Sequence, residues 1–411
     1  MTLRFLTAGE SHGPGLVGIV EGLPAGLPVD AAAIDADLAR RQVGVGRSAR
    51  MNIERDRVEI LAGIVGGRTI GSPVALAIRN LDYANWQGKV VPPQTVPRPG
   101  HADLAGGLKY GLDDLRLVGE RASARETAMR VACGALARLL LAEFGIIVGS
   151  HVLEIGGIQA EVPDLPYPEL WARARASEVG VADPASGERI AARIREVMKA
   201  GDSLGGVIEV IAIGVPAGLG SHVHWDRRLD GRLAQAVMSI QSVKGVEIGP
   251  AYANARHLGT EVQDEILLAP GSGANLTPCP PSPRGKGEPG APSPSQGEGW
   301  SEGRPQPSNP KITVRASNRA GGLEGGITNG MPVVVRAALK PLSTTVKPLR
   351  SVDLATGEPA PSKYQRSDFC HVPRACVVGE AMVAWVLADA LMEKLGGDSL
   401  TEMKQRWGAA G

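Results

Sequence analysis

Residues 9–27 read GESHGPGLVGIVEGLPAGL, and residues 201–219 read GDSLGGVIEVIAIGVPAGL. The loop Gly9-Glu10-Ser11-His12-Gly13 is echoed by Gly201-Asp202-Ser203-Leu204-Gly205. The turn Gly22 to Leu27 is echoed by Gly214 to Leu219, and both matches have an offset of 192 residues. A helix candidate follows each copy, Asp30 to Arg41 after the first and Asp230 to Ile240 after the second. Two matches in one register point to an internal duplication of a strand–turn–helix unit. His12 is matched by Leu204 in the second copy. Whatever the fold needs from this motif, it does not need the imidazole.

Working outward, Leu3 to Leu6 and Leu16 to Val20 are strand candidates, as are Val58 to Ile64, Val74 to Ile78 and Pro332 to Leu339. A closing helix is expected over about Gly379 to Leu395. Residues 269–310 are rich in Pro, Gly and Ser with no hydrophobic period. Such a segment buries too little apolar surface to offset its ordering entropy, so it reads as a disordered surface insertion. The expected organisation is one folded domain over 1–268 and 311–405, that insertion, and a flexible tail at 406–411.

The totals exclude several functions. Net charge is +1 over 411 residues, so no overall basic field recruits nucleic acid or an acidic membrane. Aromatics are 3% of residues, too few for the stacking platforms of single-strand binders. Four cysteines without C-x-x-C spacing read as reduced thiols of a cytoplasmic protein. The N-terminus lacks the apolar region of a signal peptide. The apolar stretch Val131 to Val148 is broken by Arg138, Glu143 and Gly145, which makes it core rather than a membrane span.

Chemistry gathers over Arg98 to Met129, RPGHADLAGGLKYGLDDLRLVGERASARETAM. A Pro/Gly turn carries His101. Ser123 and Glu126 have the S-x-x-E spacing of a capping box, with apolar residues at helical intervals after them. A helix start attracts anions, and Arg121 and Arg125 flank it. The stretch reads equally as a phosphate site or as an ordinary capped helix with solvated arginines. His12 and His101 each lie in a glycine-rich loop, histidine being the residue type suited to proton exchange at working pH, and Asp368 beside Arg366 is a third ionisable candidate. Gly9 to Gly13 matches the G-x-S-x-G elbow of serine hydrolases, but no helix follows at once. Gly44 to Ala49 matches G-x-G-x-x-A, yet it follows a helix and is crowded by Arg40, Arg41, Arg47, Arg50, Arg55 and Arg57. His222 and His224 have no further metal-ligand spacing around them, and His151, His257 and His371 stand alone.

Ten ordered segments together resemble chorismate synthases. They are GESHG (9–13), RRQVGVGRSARM (40–51), RPGHADL (98–104), ERASARETAMRVACG (120–134), GDSLGG (201–206), VPAGLG (215–220), MSIQSVKGVEIG (238–249), NRAGGLEGGITNGMP (318–332), KPLSTT (340–345) and RSDFCHVPRA (366–375). The resemblance implies an α+β fold, with helices sandwiched between two antiparallel sheets and internal pseudo-two-fold symmetry. It implies a homotetramer and an anti-1,4-elimination of phosphate from 5-enolpyruvylshikimate 3-phosphate, giving chorismate without net redox change. The required cofactor is reduced FMN, with NADPH as a candidate reductant. Nucleic acid and membrane are not expected partners.

By that resemblance His12 protonates the reduced flavin, His101 assists the departing phosphate, and Asp368 relays the abstracted proton. FMN is expected on Arg121, Ala122, Ser123, Gln241, Ser242, Gly325, Lys340, Pro341, Leu342, Ser343, Thr344 and Arg366. Arg41 and Arg47 match basic substrate and NADP positions. Many family members carry His at the position of Ser367 and Ser at that of Ala122. A serine hydrolase built on Ser11 and a binding protein without chemistry are the other two readings.

Overall fold

The computed structural model describes residues 3–47, 53–268 and 313–410. The expected insertion at 269–310, and Arg50 in the arginine-rich stretch, lie outside the described residues.

Period-two alternation builds the first sheet. β1 (Arg4–Gly9) and β2 (Gly15–Glu21) form a hairpin that buries Leu16 and Val20 and exposes Val17 and Ile19. α1 (Ala31–Arg41) follows, capped by the Asp30 carboxylate, which accepts the Ala32 N–H. β3 (Val58–Ala62) and β4 (Val74–Arg79) complete an antiparallel sheet of order β1-β2-β4-β3.

Three helices lead to the second sheet: α2 (Asp103–Tyr110), α3 (Leu115–Ala122) and α4 (Thr127–Ala142). Then come β5 (Ile147–Ile155), α5 (Tyr167–Ala176), α6 (Pro184–Lys199) and β6 (Gly206–Ile213). α7 (Leu229–Met238), β7 (Val243–Ile248), β8 (Val333–Leu339), α8 (Val372–Leu395) and α9 (Leu400–Ala410) close the chain. The second sheet is antiparallel with order β5-β6-β8-β7, and the short strand Ile158–Gln159 lies outside β5.

The core lies between the sheets. α4 packs on β2 and β4, α8 packs on β5 and β6, and the two helices pack on each other. Missing side chains permit these close approaches. A Cβ on Gly134 would lie 2.4 Å from that of Ala381, and one on Gly18 would lie 2.6 Å from the Met129 sulfur. The fold is therefore α+β, with helices enclosed by two antiparallel sheets. α8 is long and apolar enough to cross a membrane, but 94% of its apolar window is buried inside the protein. The fully buried Glu380 on α8 accepts hydrogen bonds from Arg40 and Ser150, and Arg138 lies 3.3 Å away. A buried carboxylate needs this pairing to stay charged.

A small two-stranded hairpin, separate from the main sheets, precedes β4, and a similar one precedes β8. Thr69 donates its hydroxyl to Pro24 O and accepts from Leu27 N–H, at 2.5 and 2.9 Å. Thr328 donates to Pro216 O and accepts from Leu219 N–H, at 2.6 and 2.8 Å. The glycine pairs Gly66-Gly67 and Gly325-Gly326, all at positive φ, turn the two hairpins.

Several expectations need correction. Between the His101 turn and Ser123 the chain forms α2 and α3, two helices not expected from the sequence. The capping box is half made: Ser123 Oγ accepts the Arg125 N–H, but Glu126 turns away to Thr7, Arg130 and Gln241. The closing helix starts at Val372, since Pro373 sits in its first turn where no N–H is needed. Of the expected flexible tail 406–411, residues 406–410 continue α9, with Arg406 donating to Leu395 O and Trp407 packed on Phe144.

Candidate active site

Loops from both halves meet around a cavity of about 1140 Å³. His12 enters from the β1–β2 loop, His101 from the turn before α2, and Asp368 from the segment before α8. The same lining holds Arg41, Ala122, Ser123, Gln241, Ser242, Lys340 to Thr344, and Arg366. Arg47, Arg121 and Gly325 do not line it. Arg47 is exposed past α1, Arg121 donates to Thr7, and Gly325 turns the Leu323–Thr328 hairpin.

Both imidazoles are held at Nδ1. His12 Nδ1 lies 2.8 Å from Glu120 Oε1, and its backbone N–H donates to Oε2 at 2.7 Å. The Trp86 ring covers His12 with centroids 4.3 Å apart. His101 Nδ1 lies 2.6 Å from the fully buried Asp103. Arg98 grips that carboxylate through Nε and Nη2 at 2.7 and 2.9 Å. Burial alone would raise the Asp103 pKa, but the bonds from His101 and Arg98 outweigh it and hold the carboxyl well below the usual range.

Asp368 is paired with Arg374 on the first turn of α8. Its segment is supported by the glycine-rich loop after α1, since the Phe369 N–H donates to Gly46 O at 2.7 Å. That support is the structural use of the G-x-G-x-x-A match. A Cβ on Gly46, at φ 85°, would meet the Cys370 backbone N at 3.0 Å. The lining is strongly cationic, with ten Arg and Lys against three carboxylates. Arg41 is buried and bonds Thr127 Oγ1 and Ala124 O; burial, with Arg125 and Arg374 nearby, pushes its pKa down to about 10.

Two further lining residues are held by contacts that spacing does not show. Arg125, which flanks the expected anion-attracting helix start, is buried and bound to Asn80 and Asp56, with Nη2 left without a hydrogen-bond partner. His371, taken as a singleton, bonds Ser242 Oγ through Nε2, and its Nδ1 has no partner. Ser242 is the one non-glycine residue at positive φ among the described residues, at 72°. Strain of this kind concentrates at functional sites, and a lone serine gives no sign of it in sequence.

Ser11 is not a nucleophile elbow. It lies between two antiparallel strands, no helix follows, and its φ is not positive. His224 bonds Asp226 on an exposed loop, and no metal-ligating cluster exists among the described residues.

A cation-rich cavity with two carboxylate-held imidazoles and a guanidinium-held aspartate has the groups with which an enzyme can hold a polyanion and move protons. The sequence profile of the family described as Chorismate synthase matches residues 3–392. The chain is 52% identical over 410 residues to the chorismate synthase of Desulforudis audaxviator (strain MP104C), covering 98% of this chain and 95% of that one. It is 50% identical over 424 residues to that of Aquifex aeolicus (strain VF5), covering 98% and 96%. A crystal structure of a chorismate synthase superposes with a TM-score of 0.74 at 43% identity, covering 100% of this chain and 97% of that chain. The chain belongs to the chorismate synthase family, carbon–oxygen lyases of the shikimate pathway.

Proposed function

We propose that this cavity eliminates phosphate from 5-enolpyruvylshikimate 3-phosphate to give chorismate, with reduced FMN bound beside the substrate. The observation that carries the reading is the meeting of His12, His101 and Asp368 in one cation-rich cavity. The substrate has two carboxylates and a phosphate. Arg41, Arg98 and Arg125 are buried and fixed by hydrogen bonds, so their charge is oriented before any ligand arrives. Preorganised cations stabilise charge developing on a leaving phosphate. His101 faces the departing group as acid, His12 supplies a proton on the flavin side, and Asp368 takes up the ring proton for relay.

The residues fit the cofactor. The cavity exceeds the roughly 300–1,000 Å³ of a single-ligand pocket, so two ligands have room. Gln241 Oε1 and Arg374 Nη2 are buried in its wall without partners, ready for ligand groups. Ala122, Ser123, Gln241, Ser242, Lys340 to Thr344 and Arg366 would hold the FMN. Bound FMN supplies transient electron donation; the protein supplies placement and charge. NADPH is the proposed reductant, with Arg41 and Arg47 as its basic positions by family resemblance.

The reading extends to the assembly. We take the chain to be a cytoplasmic homotetramer. Leu6, Val17 and Ile19 leave an exposed apolar face on the first sheet, the kind of patch that marks association. On the second sheet Trp171 of α5 covers Ile211 and Val334. Cys133, Cys370 and Cys376 are free, as a reducing compartment keeps them. The common strand order of the sheets and the paired Thr69 and Thr328 hairpins support descent from a duplicated half.

Anaerobic turnover with reduced FMN tests the activity. Phosphate and chorismate should appear only with reduced flavin. Phosphate release that ignores flavin, or binding without release, overturns the proposal.

A further inference from the structure

Glu120 holds His12 at two points. One oxygen accepts the backbone N–H and the other faces ring Nδ1, at 2.7 and 2.8 Å. A third link runs from the Ser11 N–H to Glu120 O, at 3.0 Å. Residue 120 thus grips the tip of the β1–β2 loop with both its main chain and its side chain. Trp86 limits ring rotation from one face, and its Nε1–H donates to the buried Asp82 at 3.3 Å. A carboxylate only accepts, so the Nδ1 facing Glu120 must carry a hydrogen.

We infer that Glu120 is the positioning residue that decides which nitrogen of His12 works: it keeps the proton on Nδ1 and leaves Nε2 as the atom that exchanges protons in the cavity. This rests on the proposed role of His12 in proton transfer. In the charged ring the Nε2 proton is the one that leaves; in the neutral ring the Nε2 lone pair is the one that receives it back. At His101 the arrangement is related, with Nδ1 2.6 Å from Asp103 and Arg98 Nη2 3.1 Å from the same nitrogen. Two histidines from separate loops thus each have their Nδ1 occupied by a carboxylate. Leu204, the residue matching His12 in the other half, has no ring to orient.

The test uses the full-length protein labelled with ¹⁵N-histidine. At a pH where His12 is neutral, the wild type should show a pyrrole-type Nδ1 and a pyridine-type Nε2. In Glu120→Gln the amide has one acceptor for two donors. With its oxygen on the backbone N–H, its NH₂ faces Nδ1, and the ring proton moves to Nε2. The two ¹⁵N shifts should exchange. Turnover number should fall about 10- to 100-fold with KM for the phosphorylated substrate nearly unchanged, the scale of losing a histidine's orienting partner. Glu120→Asp keeps an acceptor and should restore part of the rate with the wild-type ¹⁵N pattern. A wild-type His12 protonated at Nε2, or an unchanged turnover number in Glu120→Gln, overturns the inference. The wild-type spectrum decides even if the Gln variant does not fold. A His12→Ala variant at full rate would instead overturn the role of His12, leaving the tautomer result intact.

Discussion

Burial favours the neutral imidazole at His371, pushing its pKa from 6.5 down to about 4. The unfolded chain takes up a proton there as pH falls below about 6.5, while the folded chain resists until about 4. Stability from this group is therefore present at neutral pH and lost as pH falls through that window. Between pH 7 and pH 5 the wild type should lose about 2 kcal/mol more stability than His371→Gln, read from urea unfolding at the two pH values. Equal losses in both proteins would contradict the burial argument. For the proposed acid–base pair, His12→Ala and His101→Ala should each slow turnover by about 10²-fold or more under anaerobic assay. Rates near wild type in both would remove the proposed roles. His12, His101 and Asp368 were legible in the sequence because glycine-rich or charged loops surround them. His371 was not, because burial and a strained serine partner leave no trace in spacing.

At the level of elements, one threonine hydroxyl closes each small hairpin. Thr69 and Thr328 are each 2% exposed and satisfy a backbone N–H and a carbonyl that nothing else reaches in the contacts above. Thr69→Val and Thr328→Val should each cost about 1–3 kcal/mol, the penalty for stranding buried polar groups. Chemical denaturation measures it, and a change below a few tenths for both would show the bonds to be dispensable. The strand pairs and α1 were readable from alternation and an Asp cap. α2 and α3 were not. Their contact is made by Gly106 against Val118 and by Gly107 against Leu115, and glycine leaves no mark on a hydrophobic period. α8 was readable only in part, because a proline in its first turn looks like a break.

For the whole molecule, the long insertion starts and ends at one place. Leu268 and Thr313 are paired across two antiparallel strands, Ile266–Leu268 and Thr313–Arg315. Replacing the residues between them with a short turn keeps both strand ends where they are, and loop length carries little free-energy cost. Deleting Pro270 to Pro310 should leave turnover and FMN affinity within about twofold of the full chain. A large loss of FMN affinity in the shortened protein would give the insertion a role. The family motifs exposed the α+β architecture; the helix crossing at its centre was silent, since Gly134 and Ala381 carry no pattern of their own.

That crossing has a mechanical corollary. With Gly134 set against Ala381 and the Glu380 ion pairs beside it, the spacing between the two sheets is fixed like the thickness of a board. The slabs cannot clamp down on a guest. Engulfing one is left to the rim, where the Asp82–Arg366 pair already ties the Leu81–Asn85 turn to the Asp368 segment. Any opening or closing is left to such rim contacts, the Gln365–Gln94 and Ser351–Pro97 bonds among them, while the floor of the vessel stays braced.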